Sequence, residues 1–487
     1  MKLNSHTLAD FIEDVEVPTY DRSEVTVGIV HFGVGGFHRA HQAMYVDRLM
    51  QQGEGLEWGI CGVGVLPGDR KMKDVMDAQD CLYTLALKHS DGTWDTRVVG
   101  SIVEYLFAPD DADAVIEKMA AESTRIVSLT ITEGGYNFSA TTGEFDASDP
   151  AVKADLEDDA VPATTFGLVI AALARRKERG LKPFTIMSCD NIEGNGHIAQ
   201  STFTTFARLK DPALADWLTT EGAFPNSMVD RITPVTTPQV IQELSDRYAL
   251  DDQWPVAGEP FTQWVLEDNF TLGRPPLEDV GVQVVDDVTP YELMKLRLLN
   301  ASHQALCYFG YLSGYRLVHE VAQDPLFARF LLAYMDNEAT PTLQPVPGID
   351  LVDYKQTLID RFSNPEIRDT VARLCAESSD RIPKWLLPVI RTNLDTGGDI
   401  TLSTAVVASW ARYAEGVDEQ GEPIEIVDQL KDSLVPLARK QKDDPTAFIA
   451  NRAVFGDLID NKRFVAEYTE QLASLHAQGA RKTLEGL

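Results

Sequence analysis

Val25-Thr26-Val27-Gly28-Ile29-Val30-His31-Phe32 runs straight into Gly33-Val34-Gly35-Gly36, and this junction constrains the fold more than any other stretch of the chain. A short, β-branched, mostly apolar run reads as a buried strand, and the glycines that end it let the backbone turn sharply. A helical segment follows from about Arg39 to Met50, and then a second apolar run, Trp58 to Val65. Arg125 to Ile131 and Phe184 to Cys189 repeat the strand pattern further on. Buried strands separated by helical stretches predict an α/β fold built on a doubly wound, mainly parallel sheet.

The glycine turn carries chemistry as well as topology. Gly33, Gly35 and Gly36 let the backbone approach a pyrophosphate, which the start of the next helix attracts. His38 stands where the third glycine of a GxGxxG pattern belongs, so the bare motif is incomplete; its place between strand and helix supports it. Asp69, just past the second strand, is placed to accept hydrogen bonds from the adenosine ribose and to disfavour a 2′-phosphate. NAD is therefore expected rather than NADP; the bland alternative is a sharp turn with a solvated Asp69. His38 and His41 have a spacing that can hold a metal, but there is no HExxH and no third ligand in view. No metal is expected, and His38 and Arg39 are read as closing the cofactor turn.

Two more strand ends belong at the same sheet edge, where open α/β sheets place their ligands. One is Thr132-Glu133-Gly134-Gly135-Tyr136, and the other is Cys189-Asp190-Asn191-Ile192. Asn191 can donate to a developing alkoxide, or it can simply make an Asx-turn.

Beyond Thr289 strands become scarce. Asp324 to Asp336, Asp350 to Phe362 and Ser403 to Tyr413 read as helices, and the Pro-rich stretch from Thr340 to Gly348 joins two of them. The acidic, turn-rich stretch from about Tyr136 to Pro162 reads as a surface excursion. At 487 residues the chain is too long for one ordinary core. The expected division is a Rossmann-type NAD-binding domain over residues 1–287 and a mainly α-helical catalytic and substrate domain over residues 288–487.

The second domain opens on Thr289-Pro290-Tyr291-Glu292-Leu293-Met294-Lys295, which continues through leucines to Asn300 and His303. Thr289 suits an N-cap, Pro290 the first helical position, and Glu292 completes a capping box. In a regular α-helix, Glu292, Lys295, Asn300 and His303 share an arc of roughly 140°. A lysine buried among leucines is costly unless it is used, and near a helix start its neutral amine is favoured, so Lys295 is a candidate general base. The alternatives are a lysine that snorkels to solvent and a Glu292 that only caps the helix. Alone, His303 would read as a satisfied core histidine; one turn past Asn300 it reads as an orienting partner. Asp230 and the group Arg373, Arg381 and Lys384 are charged positions with no local structural reason.

Composition excludes several partners. A net charge of −32, from 43 basic and 75 acidic residues, argues against nucleic acid and anionic membranes. Five scattered cysteines without a CxxC pair fit a reducing, cytoplasmic setting. The N-terminus lacks the apolar core of a signal peptide, and runs such as Phe166 to Ala174 are far short of a membrane span.

Taken together, the motifs resemble the polyol-specific long-chain dehydrogenase/reductase family. They are Gly33-Val34-Gly35-Gly36-Phe37-His38-Arg39-Ala40-His41-Gln42, Thr130-Ile131-Thr132-Glu133-Gly134-Gly135-Tyr136, Ser188-Cys189-Asp190-Asn191, Met228-Val229-Asp230-Arg231-Ile232-Thr233-Pro234, and Lys295 with Asn300 and His303. The resemblance runs from the N-terminus to about Trp410 and loosens after it. It implies a metal-independent, NAD(P)-linked oxidation of a secondary alcohol on an open-chain polyol, reversible to the ketose, with NAD the cofactor expected from Asp69. D-mannitol and D-fructose are the expected pair; D-arabinitol and D-sorbitol are other polyols, and a hexuronate reductase acting on fructuronate or mannonate is the alternative.

By the same resemblance, Lys295 is the base, Asn191 and Asn300 form an oxyanion hole, His303 orients the substrate oxygen, and Glu292 passes the proton to solvent. Gly33, Gly35, Gly36, Phe37, His38, Arg39, Asp69 and Glu133 are assigned to the cofactor. Asp230 and Arg373 are assigned to other substrate hydroxyls, with Lys384 nearby; Arg381 stands where the family pattern has lysine, at the distal end of the pocket. A monomer is expected. A non-catalytic NAD sensor would have lost Lys295, and a Schiff-base lysine enzyme would leave the glycine turn unexplained.

Overall fold

The computed structural model describes residues 1–11, 15–138 and 144–487. They form two units, Met1–Val288 and Thr289–Leu487.

The first unit holds β1 (Val27–Phe32), β2 (Gly59–Gly64), β3 (Tyr83–Lys88), β4 (Trp94–Val99), β5 (Ile102–Phe107), β6 (Ile126–Leu129), β7 (Thr185–Ser188), β8 (Ser227–Asp230), β9 (Val256–Gly258), β10 (Gln263–Glu267) and β11 (Gln283–Val285). Its main sheet has the order β5-β2-β1-β6-β7, and every neighbouring pair is parallel. The chain steps outward from β1 to β2 and β5, then returns to β6 and β7 on the other side. The strand order therefore reverses at β1, and ligands of such sheets bind beyond the carboxyl ends at that point. β2, β6 and β7 are buried at every position, which is why they read as continuous apolar runs rather than as alternation.

Both faces of this sheet carry a core. Val30, Phe32, Val127, Leu129 and Ile186 pack with Phe166, Leu173 and Phe203 on one side. Ile29, Ile60 and Ile126 pack with Met44, Tyr45 and Trp264 on the other. Two three-stranded sheets, β11-β10-β8 and β4-β3-β9, complete the unit.

Two local expectations are corrected. The helix expected from about Arg39 to Met50 is two helices, Gly36–Ala40 and Gln42–Gln51, broken at His41, whose backbone sits at φ −125°, ψ −91°. The His41 ring accounts for the break: Nε2 donates to the Gln263 carbonyl at 2.9 Å, while Nδ1 accepts from the Gln42 amide at 3.0 Å. The stretch expected to be a surface excursion contains the helix Pro150–Leu156. Asp149 accepts from the amides of Ala151 and Val152 and Pro150 occupies the first turn, a start signal that was present in the sequence. Part of the excursion, residues 139–143, lies outside the described residues.

The second unit is helical; its only β pairing among the described residues is two isolated bridges, Leu317 with Thr370 and Val417 with Pro423. The helix Ala301–Leu312 is buried at every position except Tyr311, as a central helix must be. The helix Thr401–Tyr413 starts on Glu338, whose buried carboxylate accepts from the amides of Leu402 (2.6 Å) and Ser403 (2.8 Å). An anion there satisfies two donors that no helical carbonyl reaches. Among the described residues, no helix is long and apolar enough to cross a membrane.

Candidate active site

In the first unit the glycine turn, Asp69, Glu133 and Asn191 follow the carboxyl ends of β1, β2, β6 and β7 of the main sheet, while Asp230 ends β8 of a separate sheet. Gly33 follows β1 with φ +90°, and a Cβ there would lie 2.1 Å from the Thr130 carbonyl oxygen. Glycine is therefore required for the turn to form at all. Gly35 is exposed, and a Cβ on it would meet nothing closer than the Gly33 carbonyl at 3.9 Å.

The turn is held by groups that sequence reasoning missed. Thr130 Oγ1 donates to the Gly33 carbonyl at 2.7 Å. Having spent its proton, it accepts from His31 Nε2 at 2.9 Å, which leaves His31 Nδ1 to accept from the Ser128 hydroxyl at 2.8 Å. This fixes a neutral imidazole, and burial pushes its pKa down to about 3. His31 lies within the strand, where an isolated histidine carries no spacing signal.

The side chains of His38 and Arg39 point into the protein. His38 is buried against His31, and both its ring nitrogens lack a hydrogen-bond partner among the described residues. Arg39 is fully buried, donates to the carbonyls of Gly35 and Trp254, and its own carbonyl accepts from Tyr83 at 2.6 Å. These two close the turn from within. Phe37, half-buried, stacks on the His41 ring with centroids 4.9 Å apart.

Asp69 ends a short turn after β2. Its Oδ2 accepts from the amides of Val65 (2.9 Å) and Leu66 (2.8 Å), so the carboxylate shapes the loop as well as charging it. Glu133 is exposed after β6. Next to it, Thr132 has φ +63°, a costly conformation for a threonine. It is held by Asp190, whose oxygens accept from the amides of Ile131 (3.0 Å) and Thr132 (2.8 Å) and from the Tyr136 hydroxyl (2.8 Å). Burial raises Asp190 to about 6 even so. Asp190 thereby ties the ends of β6 and β7 together and sets the backbone from which exposed Asn191 departs. Asp230, the last residue of β8, is buried. Its neighbour Arg231 is a clamp, donating to the carbonyls of Ala40, Pro260 and Phe261.

In the second unit the expected single α-helix from Thr289 to His303 is corrected. It runs as an α-helix over Thr289–Met294, a π-helix over Lys295–Asn300, and an α-helix from Ala301. Wider turns with i→i+5 bonding bring residues five apart towards one face, and π-bulges recur at functional sites. Lys295 opens the π segment and Asn300 closes it. Glu292, Lys295, Asn300 and His303 are all buried, and Asn300 Oδ1 has no hydrogen-bond partner among the described residues. The His303 ring packs on Phe362 with centroids 4.4 Å apart.

The distal cations are already engaged. Arg373 is exposed and presents its fork to Asp369, with Nε to Oδ1 at 2.6 Å and a parallel bond from Nη2; the bonds to Asp369 hold its pKa above the usual guanidinium value. Arg381 Nη1 donates to the carbonyls of Arg373 (3.1 Å) and Leu374 (3.0 Å). Lys384 pairs with Asp380 at 2.8 Å. Among the described residues, no group of three or more His, Cys, Asp or Glu is placed to hold a metal ion.

The family model for the mannitol dehydrogenase Rossmann domain matches residues 27–279, and that for the mannitol dehydrogenase C-terminal domain matches residues 287–476. A mannitol 2-dehydrogenase of Neosartorya fischeri is 46% identical over 495 residues, covering 99% of this chain and 98% of its own. The structure of Pseudomonas fluorescens mannitol 2-dehydrogenase in ternary complex with NAD and D-mannitol is 46% identical, with a TM-score of 0.90 over 100% of this chain and 99% of that one. A D-sorbitol dehydrogenase in substrate-free form is 37% identical, with a TM-score of 0.93 over 99% and 100% of the two chains.

Proposed function

Because the chain belongs to the mannitol dehydrogenase family, we propose that it is an NAD-dependent polyol dehydrogenase oxidising D-mannitol reversibly to D-fructose. The observation that carries this reading is its full-length similarity to the Pseudomonas enzyme solved with NAD and D-mannitol. The first unit fits such a nucleotide: Gly33 allows the turn, Gly35 leaves its backbone open, and Asp69 adds a carboxylate at the ribose position of Rossmann-type sheets.

When bound, NAD supplies the hydride acceptor. The chain supplies the proton chemistry and the geometry. Lys295 takes the proton of the hydroxyl being oxidised, and Glu292, one turn earlier, passes it towards solvent. Side-chain amides of Asn191 and Asn300 donate to the oxygen as it becomes an alkoxide, where the charge makes such bonds strongest. His303 orients that oxygen, and Asp230, Arg373, Arg381 and Lys384 serve the distal hydroxyls. Phe37, His38, Arg39 and Glu133 join the glycines in shaping the cofactor site.

The engaged fork of Arg373 favours a neutral substrate over a hexuronate. Arg373 already binds the Asp369 carboxylate in bidentate fashion through Nε and Nη2, while Arg381 donates to two carbonyls from Nη1. A substrate carboxylate bound at that edge of Arg373 would have to displace Asp369. D-sorbitol is the second reading among polyols, favoured by the similarity to a D-sorbitol dehydrogenase. Five buried cysteines without a disulfide support a reducing, cytoplasmic setting, and we take the working form to be a monomer. Replacing Lys295 with Ala tests the chemistry: turnover is expected to fall by several orders of magnitude while NADH binding survives, and a variant that keeps most of its activity would contradict the assignment of the base.

A further inference from the structure

We propose that Tyr334 is a positioning residue that holds the lysine-bearing segment in its π-helical form. The inference rests on the proposed dehydrogenase reading, since it concerns how Lys295 and Asn300 reach one oxygen.

In an α-helix the Ala301 amide would bond the Arg297 carbonyl, four residues back. Here it bonds the Leu296 carbonyl, five residues back. The Arg297 carbonyl accepts instead from the hydroxyl of Tyr334 at 3.1 Å. Tyr334 is fully buried, so this donor cannot be replaced cheaply by solvent. The same arginine is held a second time, its Nη1 donating to the Thr342 carbonyl at 2.6 Å. Residues 334 to 342 thus grip Arg297 by main chain and side chain together.

That grip is itself anchored. Tyr334 ends the helix Pro325–Tyr334 and leads into a second π segment, Met335–Ala339. There, too, a side chain serves a carbonyl: Asn393 Nδ2 donates to the Glu338 carbonyl at 2.9 Å. The Glu338 carboxylate holds the start of the helix Thr401–Tyr413. A side chain inserted into the helical ladder is a recognised cause of such distortions, and Tyr334 at the skipped Arg297 carbonyl is such a side chain.

Loss of the Tyr334 hydroxyl favours return of the segment to α-helical bonding. Lys295 and Asn300 would then stand about 140° apart around the axis. The oxygen that both must reach in the proposed reaction would lose one of them.

The test compares wild type with Tyr334→Phe, using Tyr315→Phe as the control. Tyr315 donates to Asp324 Oδ2 in the same unit and leaves Oδ1 to cap the helix that ends at Tyr334, so its variant loses a hydroxyl while that cap and the Arg297 carbonyl bond remain. Wild-type turnover of D-mannitol and its loss in Lys295→Ala are established first; failure there overturns the function itself. Tyr334→Phe is then expected to lower kcat at least 10-fold and to shift the acid limb of its pH profile. NADH affinity and the KM for NAD should stay unchanged, and Tyr315→Phe should match wild type. A folded Tyr334→Phe enzyme with wild-type kcat and pH profile would overturn the proposal. If Tyr334→Phe does not fold, Arg297→Met, which removes the bond to Thr342, decides it: the same loss of kcat supports the grip, and wild-type kcat overturns it.

Discussion

His31 and His38 lie face to face behind the glycine turn, with ring centroids 3.4 Å apart and planes 11° from parallel. One is the penultimate residue of β1 and the other lies in the helix that follows, so the stack braces both ends of the turn. Such a pair tolerates no charge. Burial pushes His31 down to about 3, and burial together with His31 pushes His38 well below the usual imidazole value.

The first prediction is about acid. Folded His31 titrates near 3 and an unfolded histidine near 6.5, so as pH falls through 6.5 the unfolded chain takes up the proton first. Stability tied to neutral His31 is present above that value and is lost between the two. The cost of His31→Gln, measured by denaturant unfolding, should therefore shrink by about 2.5 kcal/mol between pH 7 and pH 4.5. Comparing variant with wild type at each pH matters because Asp47 and Asp190, each raised to about 6 by burial, act in the opposite direction. A cost that does not change with pH would show that His31 is not held neutral.

The second separates the two glycines. Gly33→Ala meets the Thr130 carbonyl and a positive φ, so it should lower the thermal midpoint sharply and abolish NADH binding. Gly35→Ala has room within the fold and should keep the wild-type midpoint. Its NADH affinity, read by fluorescence titration, should nonetheless fall at least 10-fold if the nucleotide approaches the Gly35 backbone as proposed. Unchanged affinity would move the cofactor away from this turn.

The third refines the cofactor preference. Asp69→Ala would remove both the charge and the acceptor for the Val65 and Leu66 amides, mixing two effects. Asp69→Asn keeps an oxygen acceptor and removes only the charge. It should bring NADP closer to parity with NAD by about 10-fold or more, measured as the ratio of dissociation constants. An unchanged ratio would leave Asp69 as a loop residue only.

These predictions draw on two kinds of residue. The parallel sheet and its glycine turn were legible because buried strands must be apolar on both faces and a left-handed turn must be glycine. Lys295 and Asn300 were legible because polar groups among leucines need a reason to be there. The supporting groups were not legible. Asp190 acts through the amides of Ile131 and Thr132, and His31 through Ser128 and Thr130, partners about 60 to 100 residues away in sequence. The π segment was invisible for the same reason. Local periodicity favours a continuous α-helix there, and the donor that opposes it, Tyr334, comes from another helix. Arg39 shows the converse limit: the motif does not reveal that its side chain turns inward.

The measurement that bears most directly on the central claim is NADH formation, followed by its near-ultraviolet absorbance, with NAD and D-mannitol, D-sorbitol, D-arabinitol or D-mannonate offered separately. The account predicts the highest kcat/KM with D-mannitol and little turnover of D-mannonate, whose carboxylate finds the Arg373 fork already engaged by Asp369. Activity confined to D-mannonate would contradict it and make Arg373 and Arg381 a carboxylate clamp.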